Sequence, residues 1–346
     1  MKKILRHRLF WPTAALLALI ALNTVSRPSF LSITVRDGEL YGSLIDILRN
    51  SAPLMLVALG MTVVIATRGI DLSVGAIMAV SGAVALTIID TSDSPNSLGT
   101  VAVAIGVGVL VSLVLGVWNG FLVAVLGIQP IIATLVLMLA GRGIALLITE
   151  GFITTVNSDP YKFMSQGYVV GLPFAFFVSI AAIVIIAIVE RRTALGVLTE
   201  SVGINPVASR LAGVRSRGII WGAYVASGVL AGIAGILYSS NIMAADANAA
   251  GLYIELYAIL AVVLGGTALT GGKFTIAGTV IGVFTIQTLT STITFLGVPP
   301  AASPVFMASV VIVVVLIQSP RVHRLARNIS RSLRSRSTPR NAEVAS

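Results

Sequence analysis

The sequence predicts an all-α, polytopic membrane protein of about ten transmembrane helices with broken or re-entrant segments. Of its 346 residues, 56% are hydrophobic and only 10% are charged, whereas a soluble domain carries about 25% charged residues. The apolar residues form continuous runs rather than an alternating pattern, which favours helices over a β-barrel. Since backbone groups in lipid must pair internally, these runs predict helices that cross the bilayer.

Ten apolar runs are candidates for these spans. They are residues 9–26, 51–67, 72–89, 100–126, 130–148, 173–189, 218–239, 253–270, 275–296 and 304–318. Residues 1–8 are then a basic N-terminus, and 319–346 a basic tail that we expect to be disordered. Most of the 23 Lys and Arg residues lie in these ends and in segment 190–217. The positive-inside rule therefore places both termini in the cytoplasm, with an even number of spans.

Composition also excludes several functions. The chain has no cysteine and only two histidines, both in the basic ends, so no pattern indicates thiol chemistry or a metal site. The basic clusters suit anionic lipid headgroups better than nucleic acid. Residues 264–273 superficially resemble a phosphate-binding loop, but Phe274 follows Lys273 where that motif requires Ser or Thr. The chain is therefore predicted to hold no nucleotide or other cofactor of its own.

Segment 190–217 is a polar island between two spans and must lie in water. Within it, Asn205 suits a helix N-cap, Pro206 suits the first helical position, and Gly213 suits a left-handed C-cap. These signals predict a short helix of about two turns that lies free between two spans. We expect a helix in that position to bind a partner.

Polar residues that interrupt the spans are candidates for a substrate path. Asp71, followed by Ser73, separates the second and third spans, and its carboxylate suits the positive end of the third helix. A capped tight turn and a discontinuous helix beside the path are both compatible with this pattern. Asn119 and Gln129 are further candidates.

Arg142 interrupts the fifth span. A cation at membrane depth costs about 2.5–3.5 kcal/mol on insertion scales, so we expect it to face protein or water. Its candidate partners, or substrate contacts in their own right, are Asp246, Asn248 and Glu255 near the outer end of the eighth span.

Glycine pairs four residues apart predict close packing between helices. The pairs are Gly116 and Gly120, Gly228 and Gly232, and Gly278 and Gly282.

Three motifs follow one another along the chain. They are Ala-Thr-Arg-Gly-Ile-Asp-Leu-Ser-Val-Gly-Ala (66–76), Gly-Ile-Asn-Pro-Val-Ala-Ser-Arg-Leu-Ala-Gly-Val (203–214) and Glu-Leu-Tyr-Ala-Ile-Leu-Ala-Val-Val-Leu-Gly-Gly-Thr-Ala-Leu-Thr-Gly-Gly (255–272). Together they resemble the ribose/xylose-type family of ABC sugar permeases, over essentially the whole chain apart from its two ends. Stretches 37–48, 128–143 and 245–252 are similar to the galactofuranose permeases of that family. Arg68 and Tyr257 differ from the small residue and the Asp usual at their positions.

The resemblance implies a subunit of an importer in the bacterial inner (plasma) membrane. A periplasmic binding protein would deliver a monosaccharide, galactofuranose-like or of ribose/xylose type, and a second permease subunit, identical or paralogous, would complete the path. A separate ATPase would use ATP and Mg²⁺ and bind the capped helix. The implied coupling residues are Glu200, Gly203, Asn205, Pro206, Ala208, Arg210, Leu211, Ala212 and Gly213.

The sequence is also compatible, to different degrees, with other functions. A nucleoside or autoinducer-type ligand remains an alternative within the family. An ion-driven secondary transporter would need an ionisable pair at mid-membrane, whereas Arg142 is the one basic residue clearly inside a span. A membrane enzyme is disfavoured because no nucleophile–histidine pair or carboxylate cluster is apparent.

Overall fold

A computed structural model describes residues 9–318 of the chain. The predicted basic N-terminus (1–8) and basic tail (319–346) lie outside the described residues. The chain divides into two compact units, Met1–Ser291 and Thr292–Ser346. The first unit contains every candidate site residue.

Thirteen α-helices cover most of the described residues. They are α1 Phe10–Ser26, α2 Ser43–Ala66, α3 Val74–Asp90, α4 Leu98–Gly120, α5 Pro130–Ile148, α6 Asp159–Gln166, α7 Phe174–Arg192, α8 Leu195–Ile204, α9 Pro206–Leu211, α10 Ser216–Ile242, α11 Ile254–Leu264, α12 Ile276–Phe295 and α13 Ser303–Gln318. A π-helical turn, Phe121–Val125, extends α4, and 3₁₀ turns cover Pro28–Leu31 and Pro300–Ala302.

Six short strands lie in the connections between helices. They are β1 Thr34–Arg36, β2 Glu39–Tyr41, β3 Thr154–Thr155, β4 Tyr168–Val169, β5 Leu172–Pro173 and β6 Ala244–Ala245. β1 pairs with β2 and β4 with β5 as antiparallel hairpins, while β3 pairs with β6 across the C-terminal ends of α5 and α10.

Each of the ten predicted spans contains a helix, so the all-α polytopic class is confirmed. Within the described residues, six helices are long and apolar enough to cross a membrane. Two helices differ in length from the predicted spans. α2 begins at Ser43, eight residues before the predicted span, and its added first turns carry polar residues, including an Asp46–Arg49 ion pair of 3.7 Å. The eighth span, predicted as 253–270, is helical only over Ile254–Leu264.

α10 is the central helix, packed against α2, α3 and α4. Its small residues permit close approach: a Cβ added to Gly228 would lie 2.7 Å from the Cα of Gly116. Gly278 and Gly282 similarly face the backbone of Gly265, the C-cap residue of α11, and of Ala261 on α11. The predicted glycine contacts are therefore confirmed.

The turn between α2 and α3 re-enters the bundle. A Cβ on Gly60 would lie 2.9 Å from the Cα of Ser227, and the Ser227 hydroxyl donates to Asp71. Asp71 thus lies level with Gly60, about 9 Å along the axis from the end of α2 at Ala66. α3 consequently begins inside the bundle, and irregular backbone at this depth is tolerated because protein surrounds it.

α11 is also an incomplete crossing. Its eleven residues span about 16 Å, half of the roughly 30 Å hydrocarbon core. The irregular segment before it, residues 246–253, descends until Gly251 contacts Gly75 in the first turn of α3. The N-terminal ends of two interrupted helices, α3 and α11, therefore meet inside the bundle.

Candidate functional site

A buried polar network occupies the start of α3. The Asp71 carboxylate accepts from the Ser73 backbone N–H (3.1 Å), the Ser73 hydroxyl (2.6 Å) and, from α10, the Ser227 hydroxyl (2.8 Å). The Asn119 Nδ2 group on α4 donates to the Ser73 hydroxyl at 2.7 Å. All four side chains are at most 1% exposed. Three predicted path residues, Asp71, Ser73 and Asn119, are therefore brought together.

This network fixes the re-entrant turn to two neighbouring helices. The expectation that Asp71 caps α3 directly is wrong, since the N-cap residue is Ser73 and no side chain accepts from the first turn. The carboxylate instead bonds the cap residue and α10. Because its oxygens have three donors, the cost of burying this acid is offset locally. The Asn119 Oδ1 atom, by contrast, is buried without a partner.

Arg142 holds the descending segment 246–253. Its guanidinium Nη1 donates to the carbonyls of Ala247, at 2.9 Å, and Ala250. Among the described residues, it forms no ion pair with Asp246 or Glu255. The cation therefore supplies hydrogen bonds to carbonyls of irregular backbone within the bundle, where water is scarce.

The acidic candidates of this region have separate roles. Asp246 Oδ1 accepts from the backbone N–H groups of Asn248 (2.9 Å) and Ala249 (3.1 Å), which closes a turn. Glu255 lies in the first turn of α11, with its Oε2 atom 2.7 Å from the position of a Cβ on Gly75. A carboxylate at a helix N-terminus is favoured by the helix dipole. Asn248 itself is exposed.

Gln129 lies away from this network. It is exposed, and it occupies the N-cap position of α5 without a side-chain capping bond. The structure thus does not bring it together with the other path candidates.

The capped helix predicted in segment 190–217 is present as α9. Asn205 Oδ1 accepts from the backbone N–H groups of Val207 (3.1 Å) and Ala208 (3.0 Å), Pro206 is the first helical residue, and Gly213 has a φ of +86°. α9 leaves Leu211 85% and Val207 59% exposed. Ala208, Arg210 and Ala212 are exposed too.

A second helix in this segment, α8, was missed by sequence reasoning. Glu200 and Gly203 belong to it rather than to α9. Thr193 is the sequence signal for the start of α8, since its hydroxyl accepts from the Leu195 backbone N–H at 3.1 Å. Gly203 is required there: a Cβ would lie 1.9 Å from the carbonyl oxygen of Ala66.

Arg68 joins α8 to the re-entrant turn, a contact that the sequence did not reveal. α2 ends in a Schellman motif, with bonds from Arg68 N to Ile65 O (2.9 Å) and from Gly69 N to Val64 O (3.0 Å). Arg68 fills the left-handed position that glycine usually takes, with a φ of +67°.

The side chain of Arg68 reaches two neighbouring segments. Its guanidinium donates to the carbonyl of Ile204 at the end of α8 and, at 3.0 Å, to that of Thr270. The Gly272 N–H also donates to the Ala66 carbonyl at 2.9 Å. We call this meeting of residues 66–68, 203–204 and 270–272 the Arg68 junction. It connects α8 and α9 to the chain that leads into Asp71.

The chain belongs to a family of permease components. The family model described as "Branched-chain amino acid transport system / permease component" matches residues 43–316. The predicted resemblance to sugar ABC permeases is confirmed, and the protein is a multi-pass permease of the bacterial inner membrane.

Three relatives illustrate the similarity. The chain is 44% identical to the galactofuranose transporter permease protein YtfT of Escherichia coli (94% of this chain, 95% of the relative). It is 41% identical to the fructose import permease protein FruF of Bifidobacterium longum (95% and 93%). It is 35% identical to the ribose import permease protein RbsC of Escherichia coli (89% and 92%). No solved structure matches the chain.

Proposed function

We propose that this chain is the permease subunit of an ABC importer and forms the translocation path for a monosaccharide. The observation that carries the proposal is its similarity, over nearly its whole length, to permeases named for galactofuranose, fructose and ribose. A periplasmic binding protein delivers the sugar. A second permease subunit, identical or paralogous, completes the path.

A separate ATPase, which uses ATP and Mg²⁺, drives transport. Its docking element on this chain is α9, whose Val207 and Leu211 are exposed one turn apart on the same helix face. Large apolar side chains exposed on a cytoplasmic helix favour burial against a partner. Glu200 and Gly203 lie on α8, and Gly203 packs against Ala66 and Gly272 at the Arg68 junction, so the role of α8 in coupling is indirect.

The Arg68 junction offers a physical route from the ATPase to the path. Movement of α9 by the ATPase displaces α8, and the bonds of Arg68 to Ile204 and Thr270 carry that displacement to the end of α2. The re-entrant turn with Asp71 follows three residues later. The interrupted ends of α3 and α11 then move relative to one another, which opens or closes the path between them.

The docking role of α9 predicts that Ala208→Asp uncouples transport from ATP hydrolysis. The variant adds one charge at an exposed position in the first turn of α9, where the helix dipole tolerates an acid, so α9 itself should stay folded. We expect ATP-driven sugar uptake to fall by about tenfold or more, the loss typical of an interface hot spot. Uptake and ATPase activity are measured on the assembled transporter in vesicles.

Ala208→Ser is the matched control and should retain uptake, because it changes size little and adds no charge. Normal uptake by Ala208→Asp would refute docking through this face of α9.

A further inference from the structure

A cavity of about 200 Å³ lies beside the interrupted helices and takes no part in the network around Asp71. Five helices and the descending segment line it, and it is open on one side. Its polar side chains are Asn50 on α2, Tyr238 on α10, Tyr257 on α11, and Gln287 and Thr290 on α12. Part of its floor is Ala249, Gly251 and Leu252 of the segment that Arg142 holds in place.

The cavity lies on the outer side of the polar network. α10 runs from the cytoplasmic segment 190–217 to the outer pairing of β6 with β3. Tyr238 is three turns further along α10 than Ser227, the partner of Asp71, which places it about 16 Å nearer the outer face. A ligand released at that face therefore meets the cavity before it meets the junction of α3 and α11.

The lining is mainly apolar, with a few neutral polar side chains. Among the described residues that line the cavity, none is Asp, Glu, Lys or Arg. Within the described residues, the Gln287 amide and the hydroxyls of Tyr238 and Tyr257 have no hydrogen-bond partner. A carboxamide offers donors and an acceptor together, and a phenol offers one of each, which matches the dual character of sugar hydroxyls. The two tyrosine rings add apolar faces suited to the C–H face of a sugar ring.

The size of the cavity favours a ligand with a single sugar ring. Pockets for drug-sized ligands occupy about 300–1,000 Å³, so about 200 Å³ suits a single sugar ring better than a nucleoside. Because no described lining residue is charged, the cavity disfavours phosphorylated sugars, amino acids and other ions, whose burial needs a partner charge.

We infer that this cavity is a transient binding site for a neutral monosaccharide, occupied after release from the binding protein and before passage beyond the α3–α11 junction. The inference rests on the proposed function and adds to it the residues that contact the sugar. Gln287 and Tyr257 contact its hydroxyls, and the floor at Gly251 connects the occupied cavity to the interrupted helices.

The first test separates uptake from ATP hydrolysis. In vesicles that contain the assembled transporter, radiolabelled fructose, ribose and galactose serve as probes. Gln287→Leu should lower uptake of the transported probe by about tenfold, since each lost contact leaves a desolvated polar group unpaired. ATPase activity stimulated by the loaded binding protein should stay within about twofold of the wild type, because docking and coupling are unchanged.

A matched pair of variants tests whether the hydroxyl of Tyr257 contacts the sugar. Tyr257→Phe removes a hydroxyl from the cavity and should reduce sugar uptake. Tyr253→Phe is the control, because Tyr253 lies at the same end of α11 but is 46% exposed and does not line the cavity. Tyr253→Phe should keep wild-type uptake. Equal uptake by both variants would count against a sugar contact at Tyr257.

A second test reports occupancy directly and does not depend on transport. The chain has no cysteine, so Ala249→Cys places a single thiol in the cavity wall. The transported monosaccharide should slow its reaction with a small thiol reagent by about tenfold when present at ten times the half-maximal concentration. A disaccharide should not slow it, and Val170→Cys, on an outer loop and 91% exposed, should be unaffected by any sugar.

The outcomes distinguish the two proposals. If wild-type vesicles take up a probe but Gln287→Leu transports normally and Ala249→Cys is unprotected, the cavity is not the sugar site and the proposed function stands. If the wild type takes up none of the three sugars with ATP and binding protein, both proposals fail.

Discussion

Several polar side chains within the bundle bond interrupted backbone. Asp71 and Ser227 connect the re-entrant turn to α10, and Arg142 bonds carbonyls of the descending segment. Such groups are costly in a membrane protein unless they are paired, and each is paired with an irregular part of the chain. Their function is therefore to hold two broken helices in place, and the sugar contacts are expected elsewhere.

This role predicts a specific loss of stability in Ser227→Ala. The substitution removes the donor to Asp71 Oδ2 and leaves a carboxylate oxygen buried, which should cost about 1–3 kcal/mol. Thermal unfolding of the purified chain in detergent measures the effect. Ser240→Ala is the matched control: Ser240 is equally buried on the same helix, but its hydroxyl bonds only the Leu237 carbonyl of its own helix. Equal melting temperatures for the two variants would contradict a stabilising role for the Asp71–Ser227 bond.

Among the helices, α10 determines how closely the bundle packs. Gly228 meets the backbone of α4, and Gly235 meets that of α3, where a Cβ would lie 2.3 Å from the Met78 carbonyl oxygen. Backbone atoms cannot move aside as a flexible side chain can. These two glycines therefore fix the separation of α10 from both neighbours, and with it the position of Ser227 relative to Asp71.

Gly228→Ala should consequently destabilise the bundle more than an alanine elsewhere on α10. The new Cβ would lie 2.7 Å from the Gly116 Cα and 2.8 Å from the Ser112 carbonyl oxygen, so α4 must shift. Overpacking of this kind costs about 1–3 kcal/mol. Gly222→Ala, on the same helix with nothing within 4 Å, is the control and should be neutral or slightly stabilising because alanine favours helix. Thermal unfolding of both variants measures the difference, and equal stability would refute close packing at Gly228.

The predictability of these helices differs for physical reasons. Long apolar runs and the Asn205–Pro206 cap are local signals, so the ten spans and α9 were found from the sequence. α11 was predicted too long because residues 265–270 are apolar enough to continue a span, yet glycines at 265 and 266 end the helix. Hydropathy cannot detect such a break, since it measures composition rather than backbone conformation.

The candidate site was predictable in part. Asp71, Ser73 and Asn119 were singled out as polar residues in apolar runs, and the structure brings them together. The Arg68 junction was missed, because its bonds join residues more than a hundred positions apart. The cavity was missed as well. Asn50, Gln287 and Tyr238 lie far apart in the sequence, and only the packing of three helices brings them together in its lining.

Across the whole molecule, the site elements follow the axis of transport. In the proposed orientation, the cavity lies on the outer side, the α3–α11 junction lies further in, and the Arg68 junction and α9 lie at the cytoplasmic end. An importer requires this order, because substrate arrives from one side and the ATPase acts from the other. The orientation of the chain in the membrane is therefore as important to the proposal as any single contact.

Single-cysteine labelling tests that orientation in the cysteine-free chain. Val170 between β4 and β5 is 91% exposed and Leu211 on α9 is 85% exposed, so both thiols would be accessible to a membrane-impermeant maleimide. Val170→Cys should be labelled in spheroplasts with an intact inner membrane. Leu211→Cys should be labelled only after that membrane is permeabilised, as the positive charges of segment 190–217 require. Labelling of Leu211→Cys in intact spheroplasts would place α9 on the outer face, where no ATPase reaches it, and the proposed coupling would be wrong.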